Sequence, residues 1–134
     1  MTKKIIAVAG ATGAQGGGLV RSILADPDGE FAVRAITRDP DSPKARALAA
    51  AGAEVVAADI ADRAAVARAF NGAYGAYCVT FFWNHFSPDQ ERAEAQAMAD
   101  AAKQAGVRHV VWSTLEDSRR FVTLEDARMP TLMG

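Results

Sequence analysis

Three glycines at three-residue spacing carry the chemistry most plainly legible in this chain: Gly10, Gly13 and Gly16, in the run Ile5-Ile6-Ala7-Val8-Ala9-Gly10-Ala11-Thr12-Gly13-Ala14-Gln15-Gly16. An apolar strand feeds directly into the glycine turn, and an apolar-periodic helix follows. In that context Gly10 lets the chain turn sharply off the strand. Gly13 lets backbone approach a pyrophosphate with no Cβ between them, and Gly16 lets the helix start pack closely on the sheet. First-turn N–H groups and the helix dipole then favour phosphate at that end. The alternative is a glycine-rich surface turn, and strand, motif and helix in register argue against it.

The remaining candidates lie where other strands end. The second strand closes at Ile36-Thr37 and is followed by Arg38. A carboxylate at that place would bind the two adenosine ribose hydroxyls of NAD, whereas a guanidinium would hold the 2′-phosphate of NADP in a bidentate, charge-assisted contact. Arg38 therefore favours NADP(H), with Thr37 adding a hydroxyl. Asp39, one residue later, keeps NAD(H) open. Lys44 and Arg46 either strengthen a phosphate site or are exposed charges on the next helix. Asp59 follows the third strand, where it either accepts from the adenine amine with the Ile60 backbone beside it or caps the third helix. Thr80 lies at the ligand-facing end of the fourth strand, where either it lines the central ribose with Phe81, Phe82 and Trp83 over the nicotinamide side or the aromatic run is a hydrophobic plug against a missing or neighbouring element. His85 reads as a surface histidine and His109 as a structural residue opening a buried strand. Ser113 ends the fifth strand, where a serine can polarise a carbonyl. It lacks the Tyr-x-x-x-Lys partner that would supply the proton, because the tyrosines are Tyr74 and Tyr77 and none follows. No catalytic residue is assigned.

The elements that must position these residues alternate strand and helix with short joints, the pattern of a doubly wound parallel sheet of Rossmann type. Strands are predicted at about Lys4–Ala9, Phe31–Thr37, Glu54–Ala58, Ala76–Thr80 and His109–Ser113. Helices are predicted at about Gln15–Ala25, from Pro43 to a stop at Gly52, at Asp62–Phe70, and from Pro88 to a stop at Gly106. Ser42-Pro43 and Ser87-Pro88-Asp89-Gln90 read as N-cap plus Pro at the first helical position. On the first helix Leu19, Val20, Ile23 and Leu24 form the inward side. On the fourth, Ala93, Ala97 and Ala101 make a stripe of small residues, with Met98 and Ala102 alongside.

With 134 residues and net charge −1, the chain is one domain with no basic footprint for nucleic acid. The single cysteine, Cys78, excludes an intramolecular disulfide and a cysteine metal cluster, and fits a cytoplasmic setting. No signal peptide or membrane span is legible. There is room for about five strands, fewer than a complete doubly wound dehydrogenase. Residues 1–117 are expected to form the NAD(P)-binding domain, and 118–134 the start of an incomplete C-terminal region.

Ala9-Gly10-Ala11-Thr12-Gly13-Ala14-Gln15-Gly16-Gly17, Thr37-Arg38-Asp39-Pro40, Ala51-Gly52-Ala53-Glu54-Val55-Val56, Val79-Thr80 with Trp83, and Val110-Val111-Trp112-Ser113 occur in the order and spacing of the NmrA-like family. This resemblance, to atypical short-chain dehydrogenase/reductase relatives, covers about residues 4–117. It implies a Rossmann fold that binds NADP(H), with Gly10, Thr12, Gly13, Ala14, Gln15 and Gly16 on the phosphates and Arg38 on the 2′-phosphate. Asp59 and Ile60 would flank adenine, and Thr80 and Phe82 would lie toward the nicotinamide. Two departures stand out. Gln96 occupies the place of a lysine common in the family, and the second half that family members carry, for substrate or partner, is not in the chain. The resemblance implies either an NAD(P)H-dependent oxidoreductase of quinone- or carbonyl-reductase type or a redox sensor acting through a protein partner. A homo-oligomer is expected, with the alanine stripe as one contact.

Overall fold

The computed structural model describes residues 2–114. Five parallel strands form one sheet in the order β3-β2-β1-β4-β5: β1 is Lys4–Val8, β2 Phe31–Thr37, β3 Glu54–Ala57, β4 Gly75–Cys78 and β5 His109–Trp112. The chain winds outward from β1 through β2 to β3, then crosses back to place β4 on the other side of β1. That reversal opens a crevice beyond the carboxyl ends of β1 and β4, the place where doubly wound sheets bind ligands.

Helices α1 (Ala14–Leu24) and α2 (Pro43–Ala50) cover one face, and α3 (Arg63–Phe70) and α4 (Pro88–Gln104) the other. Strand alternation sorts the core between them. Val8, Val33 and Ala35 pack with Val20 and Leu48, while Ala7, Ala9, Ile36 and Cys78 pack with Val66, Phe70 and Met98. Val20 is fully buried, with Leu19, Ile23 and Leu24 packed beside it, as the helical periodicity predicts. Arg34 on β2 donates to the carbonyls of Ala69 and Asn71 and pairs with Glu54 at 2.9 Å, so one guanidinium satisfies the end of α3 and ties it to two strands.

Two expectations are corrected. On α4, Ala93 is exposed and Glu94 is buried one position on, while Ala97 is buried and Ala101 is spent on the intramolecular core with α3. The stripe is therefore not available as a contact between subunits. β5 is not a buried strand: His109 is exposed, and Val110, Val111 and Trp112 are 38, 60 and 37 % exposed. Its apolar side chains signal burial, but among the described residues nothing covers that edge. The 118–134 region and the domain boundary at 117 lie outside the described residues.

Cys78 is fully buried, and burial pushes its thiol up to about 12. Iodoacetamide at pH 8 is expected to leave the native protein unmodified, since the thiolate is the nucleophile, and to label it fully in denaturant. Rapid native labelling, followed by mass spectrometry, would contradict this packing.

Candidate functional site

The carboxyl ends of β1, β2 and β3, the segment after β4 and the start of α4 enclose a cleft of about 420 Å³, lined at its base by Gly10, Thr12 and Gly13. β1 runs into Gly10, whose φ of +60° turns the chain off the sheet, a conformation that glycine adopts without steric cost. Ala11 N–H donates to the Ile36 carbonyl at 3.2 Å and Gly13 N–H to the Gly10 carbonyl at 2.9 Å, which pins the turn. A Cβ at Gly16 would overlap the Gly10 carbonyl, its carbon 2.7 Å away. The turn and the first turn of α1 therefore touch backbone to backbone.

That helix end is open. Gly13 is the N-cap of α1 and supplies no side-chain cap, whereas Ser42, Asp62 and Ser87 cap α2, α3 and α4. The N–H groups of Ala14, Gln15 and Gly16 occupy the first turn, where no preceding carbonyl exists to accept them.

At the end of β2, Thr37 is buried and its hydroxyl accepts from Asp39 N–H at 3.3 Å. Asp39 in turn accepts from Asp41 N–H at 3.0 Å, and Ser42 is committed to capping Ala45. Arg38 is exposed and lines the cleft as its permanently charged cation. Lys44 and Arg46 are exposed on α2 and outside the lining.

At the end of β3, Asp59 and the buried Ile60 line the cleft. Asp59 is not the cap of α3. Its carboxylate accepts from Ala61 N–H at 2.9 Å, and Asp62 caps the helix through Ala64 and Ala65. Two aspartates three residues apart both suit capping, and only the chain path decides between them.

After β4, Phe81 lies against Gly10, where any Cβ would meet its ring. A single 3-10 turn over Phe82–Asn84 follows. Phe82, Trp83 and Phe86 meet edge to face with centroids 5.4–5.9 Å apart, Trp83 and Phe86 remaining 74 and 56 % exposed. Thr80 and Phe82 lie outside the cleft lining, and the Thr80 hydroxyl donates to Glu91 at 2.6 Å. His85 is not a surface residue. Its ring is only 12 % exposed, faces Glu94 across 3.5 Å and joins it in the cleft lining. The sequence offers no local sign of this, because the burial comes from packing on α4.

Gln15 has a second role that sequence reasoning missed. Its side-chain oxygen accepts from the Tyr77 hydroxyl at 2.5 Å and from the Ser113 hydroxyl at 2.7 Å. The glycine turn is thereby fastened to the ends of β4 and β5, across separations of 62 and 98 residues. Gln96 is exposed and donates to Asp100.

A turn cleared of Cβ atoms, an uncapped helix start and an arginine on the same cleft fit the phosphates of a dinucleotide. Among the described residues no group of three His, Cys, Asp or Glu side chains is placed to hold a metal ion.

Comparison with known proteins agrees with this geometry. The NmrA-like family profile matches residues 2–130. The chain is 45 % identical over 114 residues to the NmrA-like family domain-containing oxidoreductase FrzB of a Cladobotryum species, covering 82 % of this chain and 33 % of FrzB. The negative transcriptional regulator NmrA superposes with a TM-score of 0.77 at 28 % identity over 92 % of this chain and 37 % of its own, in complex with NADP; it is also seen with NAD. The NADPH-dependent quinone oxidoreductase QOR2 of Escherichia coli, complexed with NADPH, gives 0.66 at 33 % identity over 82 and 36 % of the two chains. The chain spans about a third of the length of the curated relatives it matches.

Proposed function

Because the chain belongs to the NmrA-like family, we propose that it binds NADP(H) as the Rossmann part of an NAD(P)H-dependent oxidoreductase of quinone- or carbonyl-reductase type. One observation carries the proposal: Gly13, the N-cap that leaves the first turn of α1 without a side-chain cap, and Arg38 line the same cleft at the carboxyl edge of the sheet. The pyrophosphate takes the N–H groups of Ala14, Gln15 and Gly16, above Gly10, Thr12 and Gly13. Arg38 pairs with the 2′-phosphate, which makes NADP(H) preferred over NAD(H). Asp59 and Ile60 flank adenine. The nicotinamide extends past the cleft toward Thr80 and Phe82, to the edge where Gln15 gathers Tyr77 and Ser113. The cofactor supplies hydride when bound, and the chain's own groups bind and orient it.

The relative that covers most of this chain among the structures described is a transcriptional regulator, which favours a second reading: an NADP(H)-sensing protein that reports occupancy to a protein partner. Gln96 in place of the family lysine points the same way. A screen of quinones and aldehydes with NADPH on the full-length gene product separates the two. NADPH consumption supports the reductase; tight binding without turnover supports the sensor.

For these 134 residues alone, turnover is expected to be negligible, because nothing among the described residues orients a substrate over the nicotinamide edge, and positioning and electrostatic preorganisation are both lost. The exposed β5 edge with Trp83 and Phe86 is expected to drive self-association, as unpaired apolar strands do. Sedimentation and an NADPH-oxidation assay test both. A strict monomer reducing quinone at ordinary enzyme rates would contradict this expectation twice over. A cytoplasmic setting is part of the proposal, and among the described residues no helix is long and apolar enough to cross a membrane.

A further inference from the structure

Glu94 is 5 % exposed, and a carboxylate so deeply withdrawn from water needs hydrogen bonds or a counter-charge to offset its lost hydration. Its Oε1 accepts from the Gln90 side-chain amide at 3.2 Å. Its Oε2 faces His85 Nε2 across 3.5 Å, and both atoms are sealed from solvent without a hydrogen bond. The other ring nitrogen, Nδ1, accepts from Ser87 N–H at 3.0 Å, so the proton of the neutral ring is on Nε2 and points at the carboxylate. A further proton goes to Nδ1, because the positive charge it creates there faces a buried carboxylate. On Glu94 it would discharge the acceptor that both N–H groups face.

The two holds on the ring are incompatible. A neutral ring accepts from Ser87 N–H. A doubly protonated ring has no lone pair left for Ser87 and is drawn to Glu94. The residue between them, Phe86, has φ +55° and is the one non-glycine residue with positive φ among the described residues, a backbone that a bulky side chain adopts only at a cost. The Ser87 N–H bond helps to hold it there. On either side the chain is anchored, by the Thr80 hydroxyl on Glu91 at 2.6 Å and by the Ser87 side chain, which caps α4 through Gln90 N–H at 3.1 Å. Movement is thereby confined to the aromatic turn between them.

We propose that His85 and Glu94 form a proton-operated switch for the turn Phe82–Phe86. With the ring neutral, Ser87 N–H is bound and Phe86 stays in its strained conformation. With the ring charged, His85 closes on Glu94, Ser87 N–H is released and Phe86 relaxes. Trp83, packed edge to face on Phe86 with centroids 5.7 Å apart, moves with it, and the wall of the cleft that Asn84 and His85 supply changes shape. Histidine is the side chain that ordinarily changes charge between pH 5 and 8. Arg38, Asp39 and Asp59 are the other charged groups on the cleft besides Glu94, and side chains of those types ordinarily keep their charge over that interval. The switch operates whatever the cleft binds.

The test reads both ends of the switch. Nitrogen-15 NMR of labelled histidine follows the ring, with His85→Asn identifying its signals, and fluorescence of Trp112→Phe follows Trp83 as the remaining tryptophan. At pH 8 the ring is expected to carry its proton on Nε2. From pH 8 to 5, Nδ1 is expected to become protonated and Trp83 emission to change with the same midpoint, at constant far-ultraviolet circular dichroism. Asparagine at position 85 still accepts from a backbone N–H two residues on but does not titrate, so His85→Asn is expected to lose the emission change. Glu94→Gln removes the opposing charge and is expected to move the midpoint to lower pH. A proton on Nδ1 at pH 8, a ring that stays neutral down to pH 5, or Trp83 emission that does not follow the ring each overturns the switch. So does a loss of circular dichroism at the same midpoint, which would make the event global unfolding, or an unshifted midpoint in a folded Glu94→Gln.

Discussion

Replacing Gly13 with valine is expected to abolish binding of NADP and NAD alike while leaving the fold in place. Gly13 caps α1 with φ −79° and ψ 173°, extended backbone that valine adopts without strain. A Cβ there comes within 3.2 Å of the Gly10 carbonyl, a tight approach that a few tenths of an ångström relieve. The branched side chain then occupies the path of the pyrophosphate over the first turn of α1. Losing two hydrogen bonds to a charged group at about 1.5–3 kcal/mol each means at least about a hundredfold weaker binding. Gly16 behaves differently: its missing Cβ is space already taken by the Gly10 carbonyl, so Gly16→Val distorts the turn itself. Circular dichroism and calorimetry on both variants distinguish the two cases. Normal affinity in a folded Gly13→Val protein would mean that the dinucleotide lies elsewhere.

Arg38→Ala is expected to weaken NADP binding by about tenfold and NAD binding by less than about twofold, the 2′-phosphate being the group that differs. The lower end of the charge-assisted range applies because the Arg38 side chain is exposed, and exposed charge pairs are screened. For the same reason the NADP preference is expected to shrink as salt is raised. Titrating both cofactors against both proteins at two salt concentrations checks this. Equal losses for NADP and NAD would remove Arg38 from the phosphate site and return the choice to Asp39. That carboxylate already accepts from Asp41 N–H, which holds it in its own turn.

The sequence is most transparent where a local interaction decides the structure. β2 occupies Phe31–Thr37, and Ser42-Pro43 and Ser87-Pro88 begin their helices, because apolar alternation and capping chemistry act within a few residues. The carboxyl ends of the strands are less transparent. Ala9, Ala58, Thr80 and Ser113 read as strand, yet β1, β3, β4 and β5 stop at Val8, Ala57, Cys78 and Trp112. Ala9, Ala58 and Ser113 still donate to the adjacent strand, at the carbonyls of Tyr77, Thr37 and Cys78, so strand-like pairing runs one residue past each assigned end. The turn at Gly10 and the place of Arg38 just after β2 are legible because they need only backbone freedom or a strand end. Glu94, His85 and the Gln15 junction are not. Each owes its surroundings to residues brought together by the sheet and α4, and no spacing in the chain records a hydrogen bond between Gln15 and Ser113.

The central claim is that a dinucleotide lies across the carboxyl edge of this sheet, with its phosphates on the first turn of α1 and its 2′-phosphate at Arg38. A crystal structure of the chain grown with saturating NADP tests it most directly. The pyrophosphate is expected within hydrogen-bond distance of the N–H groups of Gln15 and Gly16, the 2′-phosphate against the Arg38 guanidinium, and the adenine beside Asp59. A dinucleotide bound away from the glycine turn, or a cleft that stays empty at saturating NADP, would contradict the account.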